Sequence, residues 1–257
     1  MHDDLSSSAA AFVSEAFETL GAGLQKLASG LRISSAGDDA AGLAVRELMR
    51  ADLATARQAS RNVQDGISMV QTADGAAGIA HRLLTRVREL TTQASNGTLS
   101  DEQRNIIQQE VNQLSEEIAA IGQRARFNGI GLFEDGQSVQ VALGDGESIA
   151  IGTEALPTLN VDVVNDPEGA AAAVDAAMEQ VGRLRGNLGA TANRLESAGE
   201  VIDVKTENLL AAESRISDVD VAREVAALTR TQVIARSAMA AQAQAKTTSQ
   251  IVTMLLG

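Results

Sequence analysis

Apolar residues recur at helical spacing through most of this chain. Val13, Phe17, Leu20, Leu24, Leu27 and Leu31 step by 4, 3, 4, 3 and 4 residues. That is the spacing of one seam along a packed helix, and it predicts a first helix over roughly Ser6–Ile33. Ser34, Ser35, Gly37, Asp38 and Asp39 then offer no apolar face and include good N-cap residues. A second pattern runs from about Asp39 to Ser95 without a proline, with Met49, Ala56, Val63, Val70, Ala77 and Leu84 repeating every seven residues. At about 1.5 Å per residue, one continuous helix here is on the order of 80 Å long, the dimension of a rod. Asn96-Gly97 supplies its stop signal.

Ser100-Asp101-Glu102-Gln103 reads as a capping box that opens a shorter helix. Its stripe is Ile107, Val111, Leu114, Ile118 and Ile121, and the short connection makes it antiparallel to the second helix. The only β signal is Val139, Val141 and Leu143, then the turn pair Asp145-Gly146, then Ile149 and Ile151. After a connection holding Pro157, Asp166-Pro167 reads as the N-cap and first residue of another helix. The strongest pattern comes next. Val174, Val181, Leu188, Leu195, Ile202, Leu209 and Ile216 recur every seven residues without a miss. A period of 3.5 rather than 3.6 predicts left-handed winding against partner helices. The pattern breaks near Ser217–Asp220 and resumes with Val225 and Leu228, through an Ala-rich stretch to Ile251 and Leu255. The plan is close to a palindrome: terminal helix, break, long helix, short helix and hairpin, long helix, break, terminal helix. The two terminal helices are expected to lie side by side, antiparallel.

Composition narrows the function. The chain has 257 residues, no Cys, Trp or Tyr and only four Phe, so its core is built from Ala, Leu, Ile and Val. Two prolines leave room for very long helices. A net charge of −13 argues against nucleic acid, which needs clustered Lys and Arg. The acidic start Met1-His2-Asp3-Asp4 does not read as a signal peptide, and no apolar run is long enough for a membrane span. No cofactor or metal is expected. Asp38-Asp39 reads as helix capping rather than a metal pair. Gly21-Ala22-Gly23 fails as a nucleotide loop, because Lys26 stands where a third glycine is needed and no strand precedes it. Gly21 and Gly23 read instead as places of close helix approach. No nucleophile–base set supports an enzyme. Asn96-Gly97-Thr98 is a glycosylation sequon that reads as an ordinary turn.

Several of these stretches resemble bacterial flagellins. Leu27–Val45, reading LASGLRISSAGDDAAGLAV, matches a flagellin signature almost without gaps. Gln58–Ala76, Arg86–Leu90 with Gln93–Thr98, and Arg126–Gly129 follow in family order. So do Leu188–Ala190 with Asn193–Leu195, Glu213–Asp218 with Asp220, and Ala241–Ala245 with Leu255-Leu256. The resemblance implies a mainly α fold: a long antiparallel helical rod with one small β-hairpin, flanked by paired terminal helices. It implies an inner domain of 1–33 with 221–257, spokes at 34–42 and 217–220, and a rod of 43–216 with its hairpin at 139–151. About 15 residues separate Ile151 from Pro167, which leaves no room for the outer domains many flagellins carry. Against the family pattern the opening reads about five residues short.

The function implied is a structural subunit of an extracellular flagellar filament, exported without a cleaved signal peptide. Val13, Phe17, Leu20, Leu24, Leu27, Leu31, Val225, Leu228, Ile251 and Leu255 are expected to build its core tube. The seven-residue series from Val174 to Ile216 is expected to pack the rod. The implied partners are further copies of the chain, an export chaperone at the C-terminal helix, hook-associated and cap proteins, and the flagellin-sensing Toll-like receptor. Arg86, Leu90 and Glu110 match residue types at subunit and receptor contacts, and the hairpin lies where the family places its supercoiling switch. Alternatives are the hook–filament junction protein and a chemoreceptor-like signalling rod. The junction protein lacks this set of motifs. The signalling rod needs a transmembrane helix, and its tip is not β. Two thin Ala-rich terminal helices recover too little to offset an ordering cost of about 1–2 kcal/mol per residue. They are therefore expected to order on contact with other subunits.

Overall fold

The structure, a computed structural model, describes residues 2–134 and 137–256. Its helices are α1 (His2–Ser29), α2 (Ala40–Ala94), α3 (Asp101–Arg124), α4 (Pro167–Ser217) and α5 (Val221–Leu256). Its strands are β1 (Arg126–Phe127), β2 (Ile130–Gly131), β3 (Ser138–Gly144) and β4 (Glu147–Gly152). The helix limits fall within a few residues of the stop and start signals. Ser100 accepts from the Gln103 backbone N–H while the Gln103 side chain accepts from the Ser100 N–H, a complete capping box. Asp166 Oδ1 accepts from the Gly169 N–H at 2.9 Å, which caps α4 as the Asp-Pro pair predicts.

The chain folds as two compact units. One spans Ala54–Thr206. Within it α2 and α4 run antiparallel, joined by Arg185–Asp74 at 2.7 Å and Arg88–Asp175 at 3.0 Å. Val63, Val70, Ala77 and Leu84 from α2 meet Val181, Leu188, Leu195 and Ile202 from α4 in one buried cluster. A second cluster joins Val87, Leu90 and Ala94 to Ile107 and Val111 of α3 and to Val174 of α4. The residues between β4 and α4 also enter this core through Leu156, Val161 and Val163.

β3 and β4 pair antiparallel in the expected register, Val139 with Ile151 and Val141 with Ile149. Asp145 and Gly146 turn at φ 53° and 82°, the left-handed pair of a tight hairpin. The hairpin packs closely on α2: a methyl added at Gly66 would stand 2.8 Å from Val141 Cγ2. It is not the only β element. β1 and β2 form a second antiparallel pair about Asn128-Gly129, at φ 49° and 82°. Strands of two residues are too short to show alternation.

The other unit contains the residues up to Leu53 and those from Glu207 onward. In it α1 and α5 pack against each other. Gly30 lies near Val219, and Gly23 near Glu224 and Leu228, so the pair is antiparallel as expected. Among the described residues, no helix is long and apolar enough to cross a membrane and no group of His, Cys, Asp or Glu is placed to hold a metal.

Candidate assembly surfaces

The polar breaks are organised junctions. Asp38 Oδ2 accepts from the N–H and hydroxyl of Ser34, each at 3.0 Å, and from those of Ser35, at 2.9 and 3.1 Å. Asp39 Oδ1 caps α2 by accepting from the Gly42 N–H at 2.9 Å. These turns deliver Ile33 into the core at 1 % exposure, and buried Arg46 donates to its carbonyl at 2.7 Å. The C-terminal break lies alongside. The Arg32 N–H donates to the Ser217 carbonyl at 2.6 Å, its guanidinium donates to the Ile216 carbonyl at 2.8 Å, and Val219 N–H donates to Gly30 O at 3.0 Å. Leu31 and Asp218 thereby form a short antiparallel bridge. Of the pair, Asp39 caps the helix and Asp38 binds the backbone of the break.

The four donors hold the Asp38 carboxyl below its ordinary value of 3.8, at about 2, with the Ser35 and Ser34 backbone N–H groups contributing most. A depressed folded value means the contribution is complete above 3.8 and lost as pH falls toward 2. Exchange protection of the Ser34 and Ser35 amides is expected to fall across that window. Asp38→Asn is expected to lack protection there at pH 7 and to show no such step. Wild-type amides equally protected at pH 2 and pH 5 would contradict this.

Among the residues whose side chains are described, the terminal helices bury only one narrow side. Ala16 and Gly23 of α1 and Ala235 of α5 are buried; Val13, Leu20, Leu27, Leu31 and Leu228 are half-buried. A methyl added at Gly23 would stand 2.7 Å from Leu228 Cδ2, so this glycine does allow close approach. Gly21, expected to do the same, faces open space. Phe17 and Leu24 of the seam are 53 % and 58 % exposed, and Val225 of α5 is 46 % exposed. Phe12, Val233 and Ile234 are also exposed. The side chains of Ile251 and Leu255 lie outside the described residues.

In the Ala54–Thr206 unit, Arg86 Nη2 donates to Glu110 Oε1 at 2.9 Å and its Nη1 to Glu89 at 3.2 Å, linking α2 to α3. Both carboxylates raise the guanidinium's pKa, Glu110 the more strongly. Leu90 does not join them at the surface. At 2 % exposure it lies in the core between Val87 and Ala94, where i, i+3 and i+4 spacing on one helix face directs it. In the seven-residue series of α4, Val174, Val181, Leu188, Leu195 and Ile202 are buried, while Leu209 and Ile216 are half-buried. Three polar ties had no sequence signal: Asn62 Nδ2 donating to Ala142 O at 3.0 Å, Lys205 to Asp145 at 2.5 Å, and Arg46 to Ile33 O.

Two family descriptions match the chain: the bacterial flagellin N-terminal helical region over residues 4–138 and the C-terminal helical region over residues 171–256. The chain belongs to the bacterial flagellin family. It is 43 % identical to a flagellin of Halalkalibacterium halodurans, over 91 % of this chain and 90 % of the relative. It is 36 % identical to a Bacillus subtilis flagellin, over 91 % of each. A flagellar filament core protein of Treponema maltophilum is also 36 % identical, again over 91 % of each. Among solved structures, a Bacillus cereus flagellin matches with a TM-score of 0.52 at 26 % identity, over 60 % of this chain and 94 % of that one. This flagellin is a structural subunit of the flagellar filament, an extracellular polymer of the chain with itself that serves motility.

Proposed function

We propose that this flagellin polymerises by completing, between subunits, the apolar stripes that its terminal helices cannot bury alone. The observation that carries this reading is the exposure of Phe17, Leu24 and Val225, residues at helical seam spacing that remain uncovered when α1 and α5 are paired. One thin interface of Ala, Gly and half-buried Leu recovers little against the entropy of ordering the two helices. Ordering therefore follows subunit contact, which keeps the monomer soluble and the polymer cooperative. In this reading 1–33 and 221–257 form the inner tube, 34–42 and 217–220 the spokes, and 43–216 the rod outside it. Val13, Leu20, Leu27, Leu31, Leu228, Ile251 and Leu255 contribute to the tube along with the three exposed seam residues.

Brief proteolysis of monomer and filament tests it. In the monomer, cuts are expected within about the first 33 and last 37 residues while the remainder survives, and in the filament both ends survive. Ends that resist as well as the remainder in free monomer would sink the reading.

The family resemblance supports further parts of the proposed role. The subunit is exported without a cleaved signal peptide, with a chaperone covering α5 beforehand, and it meets hook-associated and cap proteins at the filament ends. Arg86, on a turn of α2 that Leu90 anchors in the core, and Glu110 of α3 serve subunit contact and recognition by the flagellin-sensing Toll-like receptor. The chain performs no catalysis; its work is mechanical.

A further inference from the structure

The turn that ends α2 also carries reactive groups. Asn96-Gly97 and Asn128-Gly129 are the two Asn-Gly pairs of the chain. In such a pair an unhindered glycine nitrogen follows a carboxamide, and the two can join in a five-membered ring. Whether they do so depends on how the fold holds them.

The two pairs are held differently. The Asn96 Oδ1 accepts from the Thr98 N–H at 3.1 Å. That bond closes a ring that contains the Gly97 nitrogen, so the side chain is folded toward the peptide it would attack. It also draws charge from the carboxamide carbon, as an oxyanion donor does. The main chain is fixed on both sides. The Asn96 N–H donates to Gln93 O at 3.1 Å, and Asn96 O accepts from the Leu99 N–H at 3.2 Å. The reacting groups themselves are free. Both residues are exposed, and among the described residues neither the Gly97 N–H nor the Asn96 Nδ2 has a hydrogen-bond partner. Asn128 is exposed too, but it stands at φ 49°. In that left-handed region ψ is about +47°, which sets Cβ nearly opposite the next nitrogen across the Cα–C bond. The pairing of β1 with β2 on either side holds it there.

We propose that Asn96 is a site of self-modification, converting without an enzyme to aspartate and isoaspartate through a cyclic imide. The Gly97 nitrogen gives its proton to solvent base and attacks Cγ. An N–Cγ bond forms, the Cγ–Nδ2 bond breaks, and the amide nitrogen takes up a proton and leaves as ammonia. Water then adds to the imide. Opening at Cγ gives aspartate. Opening at the main-chain carbonyl leaves Gly97 joined through the side chain, which is isoaspartate. No oxidant or reductant is involved. A cation lies beside the carboxylate so formed: Arg104 of α3 donates from Nη2 to Asn96 O at 3.4 Å, and its buried Nε has no partner among the described residues. Arg104 offsets the negative end of the α2 dipole, which a new anion there would otherwise oppose. Each conversion adds negative charge to the turn between α2 and α3, and the isoaspartate form adds a carbon to its main chain.

Ageing the full chain in mildly alkaline buffer, with peptide mapping by mass spectrometry, tests this. Asn96 is expected to convert about tenfold or more faster than Asn128, with isoaspartate among the products. In urea, where the fold no longer positions either pair, the two rates are expected to fall within about threefold of each other. Gly97→Ala is expected to slow conversion of Asn96 and leave Asn128 unchanged. Equal rates in the folded chain, a faster Asn128, conversion of neither, or a Gly97→Ala variant that reacts like wild type would overturn the proposal. So would aspartate without isoaspartate, which would mean direct hydrolysis. A preference that persists in urea would overturn it as well, since it would belong to the local sequence and not to the fold.

Discussion

Phe17→Asp combined with Leu24→Asp is expected to abolish filament formation and leave the thermal unfolding of the Ala54–Thr206 unit unchanged. Both side chains are more than half exposed in the single chain. Replacing them therefore removes little from the monomer, and they lie outside the other unit. In the polymer the account gives them a second apolar wall. Burying a large apolar side chain is worth about 1.5–3 kcal/mol, and a buried unpaired carboxylate costs more than that. Lost at every subunit added, two such contacts raise the critical concentration by on the order of a hundredfold or more. Sedimentation across a concentration series, with calorimetry of the monomer, measures both halves. Filaments at the wild-type concentration would remove these residues from the tube.

Leu195→Ala is expected to cost the Ala54–Thr206 unit about 2–5 kcal/mol in urea unfolding, the range for a leucine deleted from a packed core. Leu195 has no exposed surface and belongs to the cluster shared by α2, α4 and the hairpin. Its methyls are close enough to Gly66 that a methyl added there would sit 3.3 Å from Leu195 Cδ1, so the cavity opens where β3 meets α2. Val201→Ala, six residues on in the same helix but 68 % exposed, is expected to change stability by less than about 0.5 kcal/mol. Equal losses at the two positions would mean that the seven-residue series does not mark the core.

The elements that can be read from this sequence are those with a local chemical cause. A capping box, an Asp-Pro start, an Asn-Gly stop and an Asp-Gly turn each satisfy their own backbone groups, so their consequences do not depend on distant residues. The long helices were legible because the apolar series repeats often enough to average out local noise. Burial along those series was less legible. Leu209 and Ile216 continue the period of Leu195 without a miss, yet they are only half-buried. Periodicity reports which side of a helix is apolar and carries no information on how far its covering extends. Phe17 and Leu24 show the same point on α1, where the seam is wider than the single helix that faces it.

The candidate contact residues split for a related reason. The resemblance points to Arg86 and Glu110, and these do meet at the surface. The resemblance points to Leu90 as well, but its helix spacing with Val87 and Ala94 directs it inward. The β1–β2 pair escaped because two residues cannot alternate, although Asn128-Gly129 between Phe127 and Ile130 is a turn pair of the kind that closes a hairpin. Ties such as Asn62 to Ala142 span about eighty positions and have no counterpart in local sequence. Only the assembled helices bring those groups together.

Amide hydrogen exchange on the wild-type chain, measured as free monomer and again as filament, bears most directly on the account. Exchange reports the free energy of local opening segment by segment. The account predicts that α1 and α5 exchange quickly in the monomer and become protected by orders of magnitude in the filament, while the core of the Ala54–Thr206 unit is protected in both. Terminal helices already as protected in the monomer as that core would contradict it, for then each chain would be burying by itself the stripes that its neighbours are said to cover.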